Sequence, residues 1–213
     1  MTDVLGLNVG YSTSAEIPQN KNQPKVQAGV TAMLACGYDP EPAYLWGGQH
    51  TLNGNGEMTG CHWLHDAGYF VSPICITNTH SVGMVHHATI QWMLEQYPTF
   101  FKQERNFVMP VIAETCDAIL NGINDLHVKE QHVLEALNNA SDGPVAEGNV
   151  GGGNGMITYE FKGGTGTLSR RITMGDSDYT VVVLVQSNFG ARKDLTILGV
   201  PVVRVRGRTQ PTA

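Results

Sequence analysis

The stretch "PVIAETCD", residues 110–117, sets a carboxylate, a hydroxyl, a thiol and a second carboxylate side by side at Glu114, Thr115, Cys116 and Asp117. A carboxylate can hold an ammonium group or carry a proton. A thiol attacks a carbonyl only as its thiolate, and flanking carboxylates disfavour that form, so Cys116 is a poor nucleophile. The histidines raise a metal question, with Cys61, His62 and His65 close together and His80, His86 and His87 following. Neither a His-x-x-x-His pair nor a Cys-x-x-Cys pair with a partner occurs, and side chains of adjacent helical residues diverge by about 100°. No metal ion is expected.

Glycine offers a third chemistry. "GNVGGGNGM", residues 148–156, carries five glycines, and "FKGGTGTLSR" follows closely. A phosphate loop needs G-x-x-x-x-G-K-[ST], and Lys162 follows Phe161 instead. Gly151, Gly153 and Gly155 are spaced G-x-G-x-G with no helical pattern after them, so the dinucleotide fingerprint fails as well. No cofactor is implied. What remains is a set of Gly/Asn turns, "LNGNGEMTG" (52–60), "ITNTHSVG" (76–83), the glycine run itself and "QSNFG" (186–190), which together suit the rim of a polar cleft.

The elements that must position these residues are short. "VLGLNVGYST" and "VQAGVTAMLA" read as early strands, and "SPICITN", "FVMPVIAE" and "YTVVVLVQSN" as later, largely buried ones. "SVGMVHHATIQWMLEQY" is the strongest helix, with Thr79 or Ser81 as its cap and Pro98 closing it. "KEQHVLEALNNA" is a second helix, ended by "SDGP". Strands and helices do not alternate regularly, which favours a layered α+β fold over a doubly wound sheet. "TSAEIPQNKNQPKVQ" reads as a loop between the first strands and "RVRGRTQPTA" as a mobile terminus.

At 213 residues the chain can bury the core of one domain. Its formal charge of −6 gives no electrostatic basis for nucleic-acid binding. After Ser169 seven basic residues face three acidic ones, which fits either a solvated tail or a surface that docks on another chain. No apolar run spans a bilayer and the N-terminus lacks a signal-peptide pattern, so the expected location is the cytoplasm, without membrane contact. The four cysteines have no pairing or metal spacing and read as buried thiols.

Taken in order, "LNGNGEMTG", "ITNTHSVG", "PVIAETCD", "GPVAEGNVGGGNGMITYEFKGGTGTLSR" and "LVQSNFGARKDLTILGVPV" resemble successive signatures of the β-peptidyl aminopeptidase family, which includes the L-aminopeptidase/D-esterase enzymes. The resemblance runs from about Val4 to Val202. It implies an αββα four-layer sandwich like that of N-terminal-nucleophile hydrolases, made by a precursor that cuts itself into a longer α and a shorter β chain. Residues 1–203 would then be a single-domain α subunit, and 204–213 the tail before the cleavage site. The nucleophile implied is the serine that begins the β chain, and Ser169, Ser177 and Ser187 do not match its position.

Site residues follow from the same resemblance. Asn188 would donate its amide to the oxyanion, Glu114 would receive the substrate's amino group, and Phe107 would wall a pocket. Cys116 stands where the family usually carries a tyrosine, a shorter and weaker donor in place of a phenol. The implied activity is release of N-terminal residues from short peptides, amides or esters, β-peptides included, through an acyl-enzyme. The implied partners are that β chain and further αβ units in a homo-oligomer. Two rival readings are a threonine-dependent acyltransferase of the ornithine acetyltransferase kind and a non-catalytic binding protein that has kept the scaffold.

Overall fold

Alternation in "VQAGVTAML" sends Ala28, Val30, Ala32 and Leu34 to one face and leaves Gln27, Gly29 and Thr31 on the other. That two-faced strand is the centre of the computed structural model, which describes residues 4–16, 25–102 and 106–202. In chain order the elements are β1 (Asn8–Glu16), β2 (Val26–Leu34), β3 (Leu45–Trp46), α1 (Cys61–Ala67), β4 (Tyr69–Phe70), β5 (Ile74–Asn78), α2 (Val82–Gln96), α3 (Pro98–Lys102) and β6 (Val111–Thr115). There follow α4 (Glu130–Asn138), the small pair β7 (Ile157–Thr158) and β8 (Phe161–Lys162), the long strands β9 (Thr165–Met174) and β10 (Ser177–Gln186), and β11 (Thr196–Ile197) with β12 (Val200–Pro201). The expected mobile tail, 204–213, and part of the first loop, 17–24, lie outside the described residues.

The main sheet has the order β1-β2-β5-β6, antiparallel except for the parallel pair β5 and β6. Helices α2 and α4 cover one face. Val82, Val85, Ala88, Trp92 and Met93 of α2 meet Val133, Ala136 and Leu137 of α4 over the apolar face of β2, with Cys75 and Ile112 beneath. Each fully buried valine, leucine or methionine among them contributes roughly 1.5–3 kcal/mol. Trp92 donates its indole N–H to Asn138 Oδ1 at 2.7 Å, tying the two helices together at their polar edge.

The opposite face carries the glycine run. Residues 151–155 form a 3₁₀ turn laid on β1 and β2, where the Gly151 amide donates to Thr13 Oγ1 at 2.7 Å and the Gly152 amide to Thr31 Oγ1 at 3.2 Å. Gly151 has φ +53°, and a Cβ there would lie 2.4 Å from Thr31 Oγ1. Side chains are therefore excluded by both conformation and space. The run is a packing element, wedged between the sheet and the base of β9–β10.

Three expectations need correction. "YTVVVLVQSN" is not largely buried, because β10 pairs only with β9 in a two-stranded ribbon and Tyr179, Val181, Val183 and Val185 are 46–48% exposed. Of the four cysteines only Cys75 is buried, and Cys116 is exposed because it lies past the end of β6. Neither Thr79 nor Ser81 caps α2 with its side chain, and Pro98 begins α3 as well as ending α2. The Thr79 hydroxyl is used elsewhere. Among the described residues no helix is long and apolar enough to cross a membrane.

Candidate functional site

Strand β6 ends in Glu114-Thr115, and three segments converge on that end. From β5 comes the turn after Asn78, where the Thr79 hydroxyl donates to Glu114 Oε2 at 2.5 Å. From the glycine- and asparagine-rich loop before α1 comes the Glu57 backbone N–H, donating to Glu114 Oε1 at 3.0 Å. A Cβ on Gly56 would lie in ordinary contact with Glu114 Oε1, at 3.4 Å. Both carboxylate oxygens are thus held by neutral donors. Among the described residues no cation pairs with Glu114.

The third segment is the end of β10. Gln186 donates its amide to Thr115 Oγ1 at 2.5 Å, and its oxygen accepts from Thr31 Oγ1 at 3.5 Å, so it is pinned between β6 and β2. Two residues on, Asn188 donates Nδ2 to the Cys116 carbonyl at 2.5 Å and approaches Met156 Sδ at 3.1 Å. Ser187 between them is held by Thr158, whose hydroxyl donates to the Ser187 carbonyl at 2.8 Å and lies 2.7 Å from its Oγ. A carboxylate and a side-chain amide are therefore anchored two residues apart on β6 and its continuation.

Behind this end lies a buried polar cluster. Asp117 is 1% exposed, and its Oδ2 accepts from Asn78 Nδ2 and Asn121 Nδ2, each at 2.9 Å. Burial pushes the Asp117 carboxyl above the ordinary carboxylate value, against the opposing pull of the two amides and of His127. The exposed Cys116 side chain stands at the mouth of the site rather than within this cluster.

Of the residues named from the sequence, the structure brings together Glu114, Cys116 and Asn188. It sets Phe107 in a different environment, an aromatic cavity of about 180 Å³ with Tyr44, Trp63, Tyr69 and Phe100, where the ring meets Trp63 edge-on at 5.6 Å. Thr79, Gln186 and Asp117 were not singled out as site residues. Thr79 carries the signal of a helix cap and Gln186 that of a strand end. Asp117 stands out only as an acid beside a thiol. Only the fold shows where their polar atoms go.

The model of peptidase family S58 matches residues 1–212. A beta-peptidyl aminopeptidase, BapA of Sphingosinicella microcystinivorans, is 48% identical over 205 residues, which are 95% of this chain and 50% of that protein. The chain spans about half the length of the curated relatives it matches. The structure of the L-aminopeptidase D-Ala-esterase/amidase of Ochrobactrum anthropi, described as a prototype for the serine aminopeptidases and a variant of the Ntn hydrolase fold, superposes with a TM-score of 0.93 at 48% identity, over 99% of this chain and 58% of that one. A Burkholderia sp. beta-aminopeptidase gives 0.84 at 41% identity, over 98% of this chain and 57% of that one. The α+β class expected from the sequence and the Ntn-hydrolase fold are thereby shown.

Proposed function

The chain belongs to peptidase family S58, and on that premise we propose that it is the α part of a self-processed serine aminopeptidase whose nucleophile begins a second, β part. The observation that carries this reading is the pairing of a Glu114 carboxylate held by neutral donors with the Asn188 amide at the same strand end. A free N-terminal ammonium on Glu114 would gain a charge-assisted contact that an acylated terminus lacks. The scissile carbonyl would then lie toward Asn188.

The chemistry that completes the site needs one residue from the β part. An N-terminal serine carries its own base, an α-amine with pKa about 7.7–8.0 that can take the hydroxyl proton near neutral pH. Attack on the carbonyl forms a tetrahedral oxyanion, which requires donors aimed in advance. One Asn188 hydrogen is committed to the Cys116 carbonyl, and the other points toward the Met156 thioether, a weak acceptor that an oxyanion would displace. Collapse expels the amine or alcohol and leaves an acyl-serine, which water hydrolyses. Glu114 would hold the substrate's ammonium through both steps.

The ribbon β9–β10 supports a two-part enzyme. A two-stranded sheet is marginal by itself, and this one exposes Leu168, Tyr179, Val181, Val183 and Val185. Such a surface needs a partner, and the relatives are twice as long as the matched region. Hydrolysis of aminoacyl p-nitroanilides by the full-length protein tests the reading. Turnover of α- or β-aminoacyl anilides, lost on N-acetylation, is expected. Equal turnover of N-acetylated substrates would contradict the role of Glu114.

A further inference from the structure

The Asp117 cluster has no part in the chemistry above, yet it adjoins both anchored groups. Asp117 directly follows the carbonyl on which Asn188 rests. Its carboxyl gathers Asn78, at the end of β5, and Asn121, whose Oδ1 in turn accepts from the Gln27 N–H near the start of β2, at 3.1 Å. Its own carbonyl accepts from the backbone N–H groups of Leu120 and Asn121, at 3.0 and 2.9 Å, closing the chain into a turn just after Cys116. Gly155, one residue before Met156, packs so closely that a Cβ on it would lie 2.6 Å from Asp117 Cβ. The end of β5, the turn at Asn121 and Gly155 thus meet on this side chain, with β2 reached through Asn121, and the stretches around Cys116 and Met156 supply the acceptors that aim Asn188.

We propose that Asp117 is a positioning residue for the oxyanion donor: it fixes the Cys116 carbonyl against β5 and β2, and through that carbonyl the direction of the Asn188 amide. The inference rests on the aminopeptidase reading. A backbone carbonyl beyond the end of a strand has no ladder partner to hold it, and here the buried carboxyl supplies the missing restraint. A burial cost is paid for a polar cluster where an apolar side chain would pack without it. Among the described residues, Asp117 Oδ1 and Asn78 Oδ1 are buried with no protein partner. What the cluster secures is the geometry of the preceding residue, Cys116. Misplacing a reacting group by about 1 Å can cost about a hundredfold in rate.

The test uses the full-length, self-processed enzyme and separates kcat from KM on one aminoacyl p-nitroanilide. Asp117→Leu keeps the bulk and removes the acceptor. It is expected to lower kcat about ten- to a hundredfold with KM changed by less than about threefold. Asp117→Asn keeps an oxygen for both amides and is expected to restore kcat to within about threefold of wild type. A folded Leu variant with wild-type kcat, or an Asn variant as slow as the Leu variant, would overturn the inference. If the Leu variant does not fold, Asn121→Ala decides: a drop in kcat at constant KM supports the inference, and an unchanged kcat overturns it. A wild-type enzyme that cleaves no aminoacyl anilide would refute the aminopeptidase reading itself, a failure distinct from any variant result.

Discussion

The side chain of Asn188 rests on the backbone carbonyl of Cys116, with Nδ2 and O 2.5 Å apart across 72 residues of sequence. That contact ties the end of β10 to the chain just past the end of β6, two residues beyond Glu114. Replacing Asn188 with Ala removes the donor without disturbing the buried core. The expected result is a loss of about 10²–10³ in kcat with a small change in KM, measured on an aminoacyl p-nitroanilide.

Glu114→Gln keeps one oxygen for the Glu57 N–H and turns its amide to the Thr79 hydroxyl, which can accept, but removes the charge. A charge-assisted hydrogen bond contributes about 1.5–3 kcal/mol, so kcat/KM for substrates with a free amino terminus should fall about 10–100-fold. Parallel kinetics on an anilide lacking the amine should show no such fall. Equal losses for both substrates would assign Glu114 to the fold rather than to recognition.

Cys116 is exposed at the mouth of the site and stands where the sequence resemblance implies a tyrosine. If the thiol widens the pocket at the cost of a hydroxyl donor, a tyrosine restores the donor and narrows the pocket. Cys116→Tyr is therefore expected to raise kcat for small aminoacyl anilides and to exclude bulky ones. A substrate panel checks this, and an unchanged rate and profile would sink it.

Gly29 faces the glycine run from β2, and a Cβ there would lie 2.4 Å from the carbonyl oxygens of both Gly151 and Ser12. Backbone on both sides cannot yield cheaply. Gly29→Ala is expected to destabilise the protein by about 3 kcal/mol, whereas Gly48→Ala, with nothing within 4 Å of the added atom, should stay within about 0.5 kcal/mol. Denaturant melts of the two variants provide the comparison.

The buried Asp117 carboxyl has its pKa raised by desolvation. The folded state therefore holds a proton that the unfolded state has released, from about pH 3.9 up to the folded pKa. Stability associated with this group is full below that window and falls as pH rises through it. Asp117→Asn cannot ionise, so its melting temperature relative to wild type should climb with pH across the window. Thermal melts in a pH series at fixed ionic strength measure this, and a constant difference would refute it.

Alternation and helical periodicity make β2 and α2 legible, because each buries a continuous apolar face; β1 and β5 show only as short strand-like runs, and part of what they bury is polar. β9 gives a weak signal because "TGTLSRRITM" carries arginines and hydroxyls on a ribbon with no core to face. β10 is legible as a strand but its exposure is not, since a run of valines signals a strand whether or not something covers it. At the site, Glu114, Cys116 and Asn188 were legible only through long motifs, since 72 residues separate the amide from its carbonyl. Thr79 looked like a helix cap, and no local pattern tells a capping hydroxyl from one that turns to a carboxylate on the neighbouring strand. Asn78 and Asp117 meet across 39 residues, through the parallel pairing of β5 with β6.

The central claim is that Glu114 and Asn188 serve a nucleophile that begins a second chain. Denaturing intact-mass analysis with N-terminal sequencing, on enzyme purified natively and shown to cleave an aminoacyl anilide, tests it most directly. The account expects two chains, the larger containing Glu114 and Asn188 and the smaller beginning with serine. A fully active single uncut chain would contradict it, as would a second chain beginning with threonine, which would point to the acyltransferase rival instead.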